Sequence, residues 1–152
     1  MTRNVAPKSL RETQPILVVD DSIDDFEATK RAFAKANLGN AVKHARSGQE
    51  ALDYLLSDAE VKPGLILLDL NMPGIDGRKT LEIIKRNPSL KKIPVVILTT
   101  SDDERDVIAC YELGTNTYVQ KPVDFDGLIS AVKRLKEYWF EIALLPKEPV
   151  HE

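Results

Sequence analysis

Apolar residues in this chain fall into short unbroken runs, separated by longer stretches in which they recur every three or four positions. Ile16-Leu17-Val18-Val19, Leu65-Ile66-Leu67-Leu68 and Val95-Val96-Ile97-Leu98 are each wholly apolar, the pattern of a strand buried on both faces of a parallel sheet. Residues 41–45, with Val42 inward, and Tyr118-Val119-Gln120 read as two further strands. Between them the period becomes helical. Ser22 opens a helix with Asp24 and Asp25 in its first turn, where negative charge suits the helix dipole. Phe26, Thr29, Ala32, Phe33 and Ala36 form its apolar stripe, and Gly39 marks its stop. Ser47-Gly48-Gln49-Glu50 is a capping box ahead of Ala51, Leu52, Leu55 and Leu56. A third helix spans 78–86, with Leu81 and Ile84 inward and Asn87-Pro88 as its end. Ser101 and Glu104 form a second capping box, opening a helix that Gly114 closes. The last helix runs from about Asp124 through Tyr138 and beyond.

Strands alternating with helices over short connections require parallel pairing with right-handed crossovers. The three most apolar strands belong at the centre, which gives the order 2-1-3-4-5. The predicted fold is α/β, a flavodoxin-like doubly wound (βα)5 sheet with helices on both faces and an extended C-terminal helix and tail. We expect a flexible arm over 1–14, one domain over 15–138, and an interface-forming tail over 139–152.

Composition narrows the function classes. A chain of 152 residues with 43% hydrophobic and 30% charged residues is an ordinary single globular domain. A net charge of −3 gives no general attraction to nucleic acid or to an anionic membrane. No apolar run approaches the roughly 18 residues of a membrane span, and the first 14 residues hold no signal-peptide core. A cytoplasmic setting is expected. Cys110 is the single cysteine, so no intrachain disulfide forms, and its neighbours Ile108, Ala109 and Leu113 read as a helical core.

The chemistry lies where the apolar runs stop. Parallel strands carry their carboxyl ends along one rim, the rim at which open α/β sheets bind ligands. Asp20 and Asp21 follow the first run, Asp69 the third strand, Thr99 the fourth, and Lys121 the fifth. Three carboxylates against one ammonium leave a partly desolvated pocket too negative to stand alone. A divalent cation with all-oxygen ligands, Mg²⁺ or Mn²⁺, offsets that charge, and the absence of His and Cys from these segments argues against zinc. Aspartate beside such a metal is suited to phosphoryl transfer, with Asp69 as nucleophile and Lys121 and Thr99 contacting phosphoryl oxygens. Asp24, Asp25 and Asp76 are assigned helix-start or turn roles outside the site. His44 lies on the second strand and His151 in the tail, so neither reads as a phosphodonor.

The set Asp20-Asp21, Asp69, Thr99 and Lys121-Pro122 resembles the receiver domain of two-component response regulators. The Met72-Pro73-Gly74 turn, Gly77 and the 22-residue interval from Thr99 to Lys121 fit the same pattern. The resemblance spans about residues 16–135. It implies that Asp69 accepts a phosphoryl group from a histidine kinase with bound Mg²⁺. It implies metal ligation by Asp21, Asp69 and the Asn71 backbone carbonyl, with Asp20 acting largely through water. Thr99 and Tyr118 become the switch residues, and Lys121-Pro122 a cis peptide. Tyr138-Trp139-Phe140 followed by Leu144-Leu145-Pro146 resembles the stand-alone regulators that partner bacterial phytochrome kinases, which makes the kinase's signal light.

Output through protein contacts, rather than an appended DNA-binding module, is the corresponding expectation. The apolar tail either folds onto its own domain or forms an interface, most simply a homodimer, with Tyr138, Trp139, Phe140, Leu144 and Leu145 as the interface candidates. A phosphate shuttle to a histidine phosphotransfer protein and a terminal switch both fit the sequence. Two rival readings are an unphosphorylated binding module and an aspartyl-phosphate phosphatase. The phosphatase needs a general acid two residues after the nucleophile, and Asn71 stands there. No enzyme is expected.

Overall fold

The computed structural model describes residues 14–58 and 61–145. The expected N-terminal arm, apart from Gln14, and the tail residues Pro146 and His151 lie outside the described residues. The strands are β1 (Ile16–Val19), β2 (Val42–Ala45), β3 (Leu65–Leu68), β4 (Val95–Thr99) and β5 (Thr117–Gln120). They form one parallel sheet in the order β2-β1-β3-β4-β5. Between and after them come α1 (Ile23–Lys35), α2 (Gly48–Leu56), α3 (Gly77–Arg86), α4 (Glu104–Leu113) and α5 (Phe125–Lys136). Among the described residues no helix is long and apolar enough to cross a membrane.

The three apolar runs are central because each must bury both faces. Leu17, Val19, Ile66, Leu68, Val95 and Ile97 meet Leu52 and Leu55 of α2, Leu81 and Ile84 of α3, and Cys110 of α4. The alternate residues Ile16, Val18, Leu65, Leu67, Val96 and Leu98 meet Phe26 and Phe33 of α1 and Val132 and Leu135 of α5. Full burial of each such side chain contributes about 1.5–3 kcal/mol, so these strands anchor everything attached to their ends.

Four helix starts follow local chemistry. Ser22, Ser47, Asp76 and Asp124 each accept a hydrogen bond from the backbone amide three residues on. Two boundaries differ from expectation. The cap of α4 is Asp103 rather than Ser101, because the Asp103 carboxylate takes both the amide and the guanidinium of Arg105. Helix α1 stops at Lys35, and the left-handed residue after it is Asn37 (φ 62°), not Gly39. Asparagine tolerates that conformation better than most residues with a side chain.

Past Lys136 the chain winds into wider turns over Glu137–Ile142, where the Ala143 amide donates to the Tyr138 carbonyl at 2.7 Å. Through these turns the consecutive Trp139 and Phe140 both reach the second core cluster, and Leu145 packs against it. Three of the interface candidates, Trp139, Phe140 and the partly buried Leu145, therefore pack on their own domain, and that packing continues beyond residue 138. Tyr138, Ile142 and Leu144 face outward, at 50%, 71% and 98% exposure. At the other end of the chain, Gln14 is buried, and its side chain donates to the Lys62 carbonyl.

Candidate functional site

The rim is built by continuing the strand ladder one residue past the strands. Val19 and Leu68 are register partners, so the aspartates that follow them emerge at the same level. The Asp69 amide donates to the Val19 carbonyl at 3.0 Å, the Asp20 amide to Ala45 at 3.0 Å, and the Lys121 amide to Thr99 at 2.7 Å. Each functional residue is thus fixed by its backbone to a neighbouring strand before its side chain is placed.

Those side chains converge. Lys121 Nζ lies 2.8 Å from Asp20 Oδ2, 3.2 Å from Asp69 Oδ2 and 2.9 Å from Asp25 Oδ2. Asp20, Asp69 and Thr99 are buried, while Asp21 is exposed beside them. Burial pushes the Asp20 carboxyl above the usual carboxylate range, only partly countered by Lys121 and the Ser22 amide. Burial also works against the Lys121 ammonium, but its hydrogen bonds to Asp20 and Asp25 and the attraction of Asp20 and Asp69 outweigh it and leave its pKa raised. Lys121 is therefore a permanent cation, held between the ends of β1 and β3.

The structure corrects two sequence expectations here. The sequence pattern gives Asp25 a helix-start role alone, yet it is one of the three partners of Lys121. It stands in the first turn of α1, three residues after the cap Ser22, where its carboxylate reaches Lys121 over the rim. Among the described residues no peptide bond is cis, so the Lys121-Pro122 bond is trans. The direction of the lysine is fixed instead by its three carboxylate partners. Asp76 keeps its assigned role as the cap of α3, and Asp24 sits in the first turn of α1.

Thr99, fully buried, has its Oγ1 3.5 Å from Asn71 Nδ2, and the Asn71 amide donates to Asp69 Oδ1 at 3.2 Å. Tyr118 donates its hydroxyl to the Ser101 carbonyl at 2.9 Å, so Thr99 faces the loop after β3 while Tyr118 holds the loop after β4. Sequence reasoning missed that loop's other anchor. Asp106 accepts from Arg78 at 2.5 Å and from the Ser101 hydroxyl at 2.8 Å, tying α3 to α4. No local pattern links residues 28 apart in this way. Gly77 has a steric reason to be glycine: a Cβ there would sit 2.2 Å from the Asp69 carbonyl oxygen and 2.6 Å from Leu70 Cα. The helix start is pressed against the backbone of Asp69 itself.

Asp20, Asp21 and Asp69 each offer a carboxylate oxygen, all within 4.8 Å of one another. Hard oxygen donors at this spacing, with excess negative charge, fit a small divalent cation such as Mg²⁺ or Mn²⁺.

Residues 16–133 match the family model of the response regulator receiver domain. The chain belongs to this family. Its relatives include response regulator Rcp1 of Synechocystis sp., 41% identical over 135 residues that cover 86% of this chain and 92% of Rcp1. The phosphorylated cyanobacterial phytochrome response regulator RcpA superposes with a TM-score of 0.83 at 37% identity, covering 89% of this chain and 99% of RcpA. The Mn²⁺-bound form of Rcp1 superposes with a TM-score of 0.80 at 39% identity, covering 88% of this chain and 99% of that structure. This receiver is thus similar to the phytochrome response regulators over nearly their whole length. These stand-alone relatives are signalling proteins rather than classical enzymes.

Proposed function

We propose that this receiver accepts a phosphoryl group on Asp69 from a phosphohistidine of a partner histidine kinase, in Mg²⁺- or Mn²⁺-dependent phosphorelay signalling. The observation that carries the reading is the placement of the Asp69 carboxylate, which is buried on the rim with Lys121 Nζ at 3.2 Å and the carboxylates of Asp20 and Asp21 beside it. A carboxylate oxygen of Asp69 attacks phosphorus, the new O–P bond forms as the P–N bond to the donor imidazole breaks, and an aspartyl phosphate results. Asp20, Asp21, Asp69 and the Asn71 backbone carbonyl would hold the divalent ion, which supplies charge neutralisation and orientation of the transferred group.

The protein's own groups do the rest. Lys121, already charged and aimed at Asp69, exchanges part of its carboxylate pairing for a phosphoryl oxygen. Thr99 donates its hydroxyl to another. Movement of Thr99 then pulls on the 99–101 segment to which Tyr118 is bonded, which carries the change from the site to the α4 and β5 surface. The similarity to Rcp1 and RcpA supports a bacteriophytochrome as the kinase, and with it a cytoplasmic setting. Transfer onward to a histidine phosphotransfer protein uses the same aspartyl phosphate. The outward-facing Tyr138, Ile142 and Leu144, braced by the buried Trp139 and Phe140, support a homodimer through the tail, with output by protein contacts.

The test is intact mass after incubation with Mg²⁺ and acetyl phosphate, with Asp69→Asn alongside. One alkali-labile phosphoryl group is expected on the wild type and none on the variant, whose fold is retained. An undiminished mass gain in Asp69→Asn would place the acceptor elsewhere. No gain in the wild type, even with phytochrome kinases supplied, would sink the phosphoacceptor reading.

A further inference from the structure

His44 lies on the edge strand β2, register-paired with Val18, two residues before Asp20. Paired residues of a parallel sheet share a face, and here that face is covered by α1. The His44 ring stacks on Phe26 of α1, centroids 4.0 Å apart and planes 3° from parallel. From there its Nε2 reaches the backbone carbonyl oxygen of Asp20 at 2.8 Å. A carbonyl only accepts, so Nε2 carries the proton.

That carbonyl belongs to the peptide unit joining Asp20 to Asp21. On one side of it the Asp20 amide is tied to Ala45 at 3.0 Å, and the Asp20 carboxylate is tied to the Ser22 amide at 2.9 Å and to Lys121 at 2.8 Å. Asp21, on the other side, is exposed, and the direction in which its carboxylate leaves the chain depends on the plane of the Asp20–Asp21 peptide. The His44 bond sets that plane from outside, and the stack on the buried Phe26 keeps the imidazole from swinging away.

We infer that His44 is a positioning residue for the divalent-metal site: through the Asp20 carbonyl it orients the Asp20–Asp21 peptide and so aims the Asp21 carboxylate at the cation. The inference rests on the metal-dependent reading above. Groups that orient metal ligands from the next layer out change affinity by about 10–100-fold when removed. A bond to backbone rather than to the ligand atom itself falls at the lower end, about tenfold.

The experiment measures Mn²⁺ binding to the unphosphorylated protein from the electron paramagnetic resonance signal of free Mn²⁺, with melting temperature followed in parallel. His44→Phe keeps an aromatic stack on Phe26 and loses the donor. His44→Gln loses the stack and keeps an N–H at a position close to Nε2. We expect an Mn²⁺ dissociation constant about tenfold weaker in His44→Phe and close to the wild type in His44→Gln. Unchanged affinity in His44→Phe overturns the inference, and so does equal weakening in both variants, because an N–H restored close to Nε2 would then recover nothing. Should His44→Phe not fold, weakened binding in folded His44→Gln overturns it on its own. A wild type that binds no Mn²⁺ refutes the metal-dependent reading instead, and the two failures are distinguished by that control.

Discussion

Gly77→Ala adds a single methyl group at the point where α3 meets the backbone of Asp69, the proposed phosphoacceptor. The new Cβ would lie 2.2 Å from the Asp69 carbonyl oxygen and 2.6 Å from Leu70 Cα. Non-bonded carbon contacts are comfortable only near 3.5 Å, so something must move by roughly 1 Å. Neither neighbour is a flexible side-chain tip. Asp69 is tied through its amide to Val19 at 3.0 Å, and the Gly77 amide donates to the Leu70 carbonyl at 3.2 Å. Overpacking of this kind costs about 1–3 kcal/mol, and the better helix propensity of alanine offsets at most about 1 kcal/mol. A net loss of about 1–2 kcal/mol is expected, read as a lowered urea midpoint at unchanged slope. Displacement of Asp69 by a comparable distance would slow phosphorylation by acetyl phosphate about 100-fold. If the start of α3 yields instead, stability falls while the phosphorylation rate holds, and the two assays together show which side gives. A midpoint equal to or above that of the wild type would refute the reasoning, since the helix start would then have slack that the distances deny.

Two further outcomes follow from the site and the tail. Saturating Mn²⁺ stabilises the folded protein by linkage, about 2.7 kcal/mol at a hundredfold excess over the dissociation constant; calorimetry with Mn²⁺ against EDTA measures it, and Asp21→Ala loses most of the shift. Sedimentation at high micromolar concentration is expected to show a dimer that Leu144→Glu dissociates without loss of fold, because Leu144 is almost fully exposed; a monomeric wild type would remove the tail interface.

The charge balance at the rim suits the proposed phosphoryl acceptance. Asp20, Asp25 and Asp69 share one ammonium, and burial pushes the Asp20 carboxyl above the usual carboxylate range, only partly countered by Lys121. A phosphoryl group on Asp69, or a cation among Asp20, Asp21 and Asp69, would rearrange partners that are already in place, so little reorganisation would accompany the proposed chemistry. The Arg78–Asp106–Ser101 contacts tie the loop after Thr99 to α3 and α4.

The sequence determined the sheet and the rim. Four apolar residues in a row allow a strand no solvent face, so β1, β3 and β4 had to be central, and an aspartate placed directly after such a run had to stand at its carboxyl end. Most helix starts were legible for the same reason, since a cap and its amide lie within three residues, but α4 is capped by Asp103 rather than Ser101. Contacts between elements were decided only by the tertiary structure. Asp25 reaches Lys121 across 96 residues of chain, which depends on how α1 is rotated over the rim. His44 reaches the Asp20 carbonyl because α1 lays Phe26 against its ring, a contact the strand order alone does not give. The burial of Trp139 and Phe140, which an apolar stripe alone leaves open between core and interface, followed from the wider turns past Lys136. Periodicity fixes which face of an element is apolar, whereas the partner that covers it is set by packing, and packing also decides where a long side chain ends.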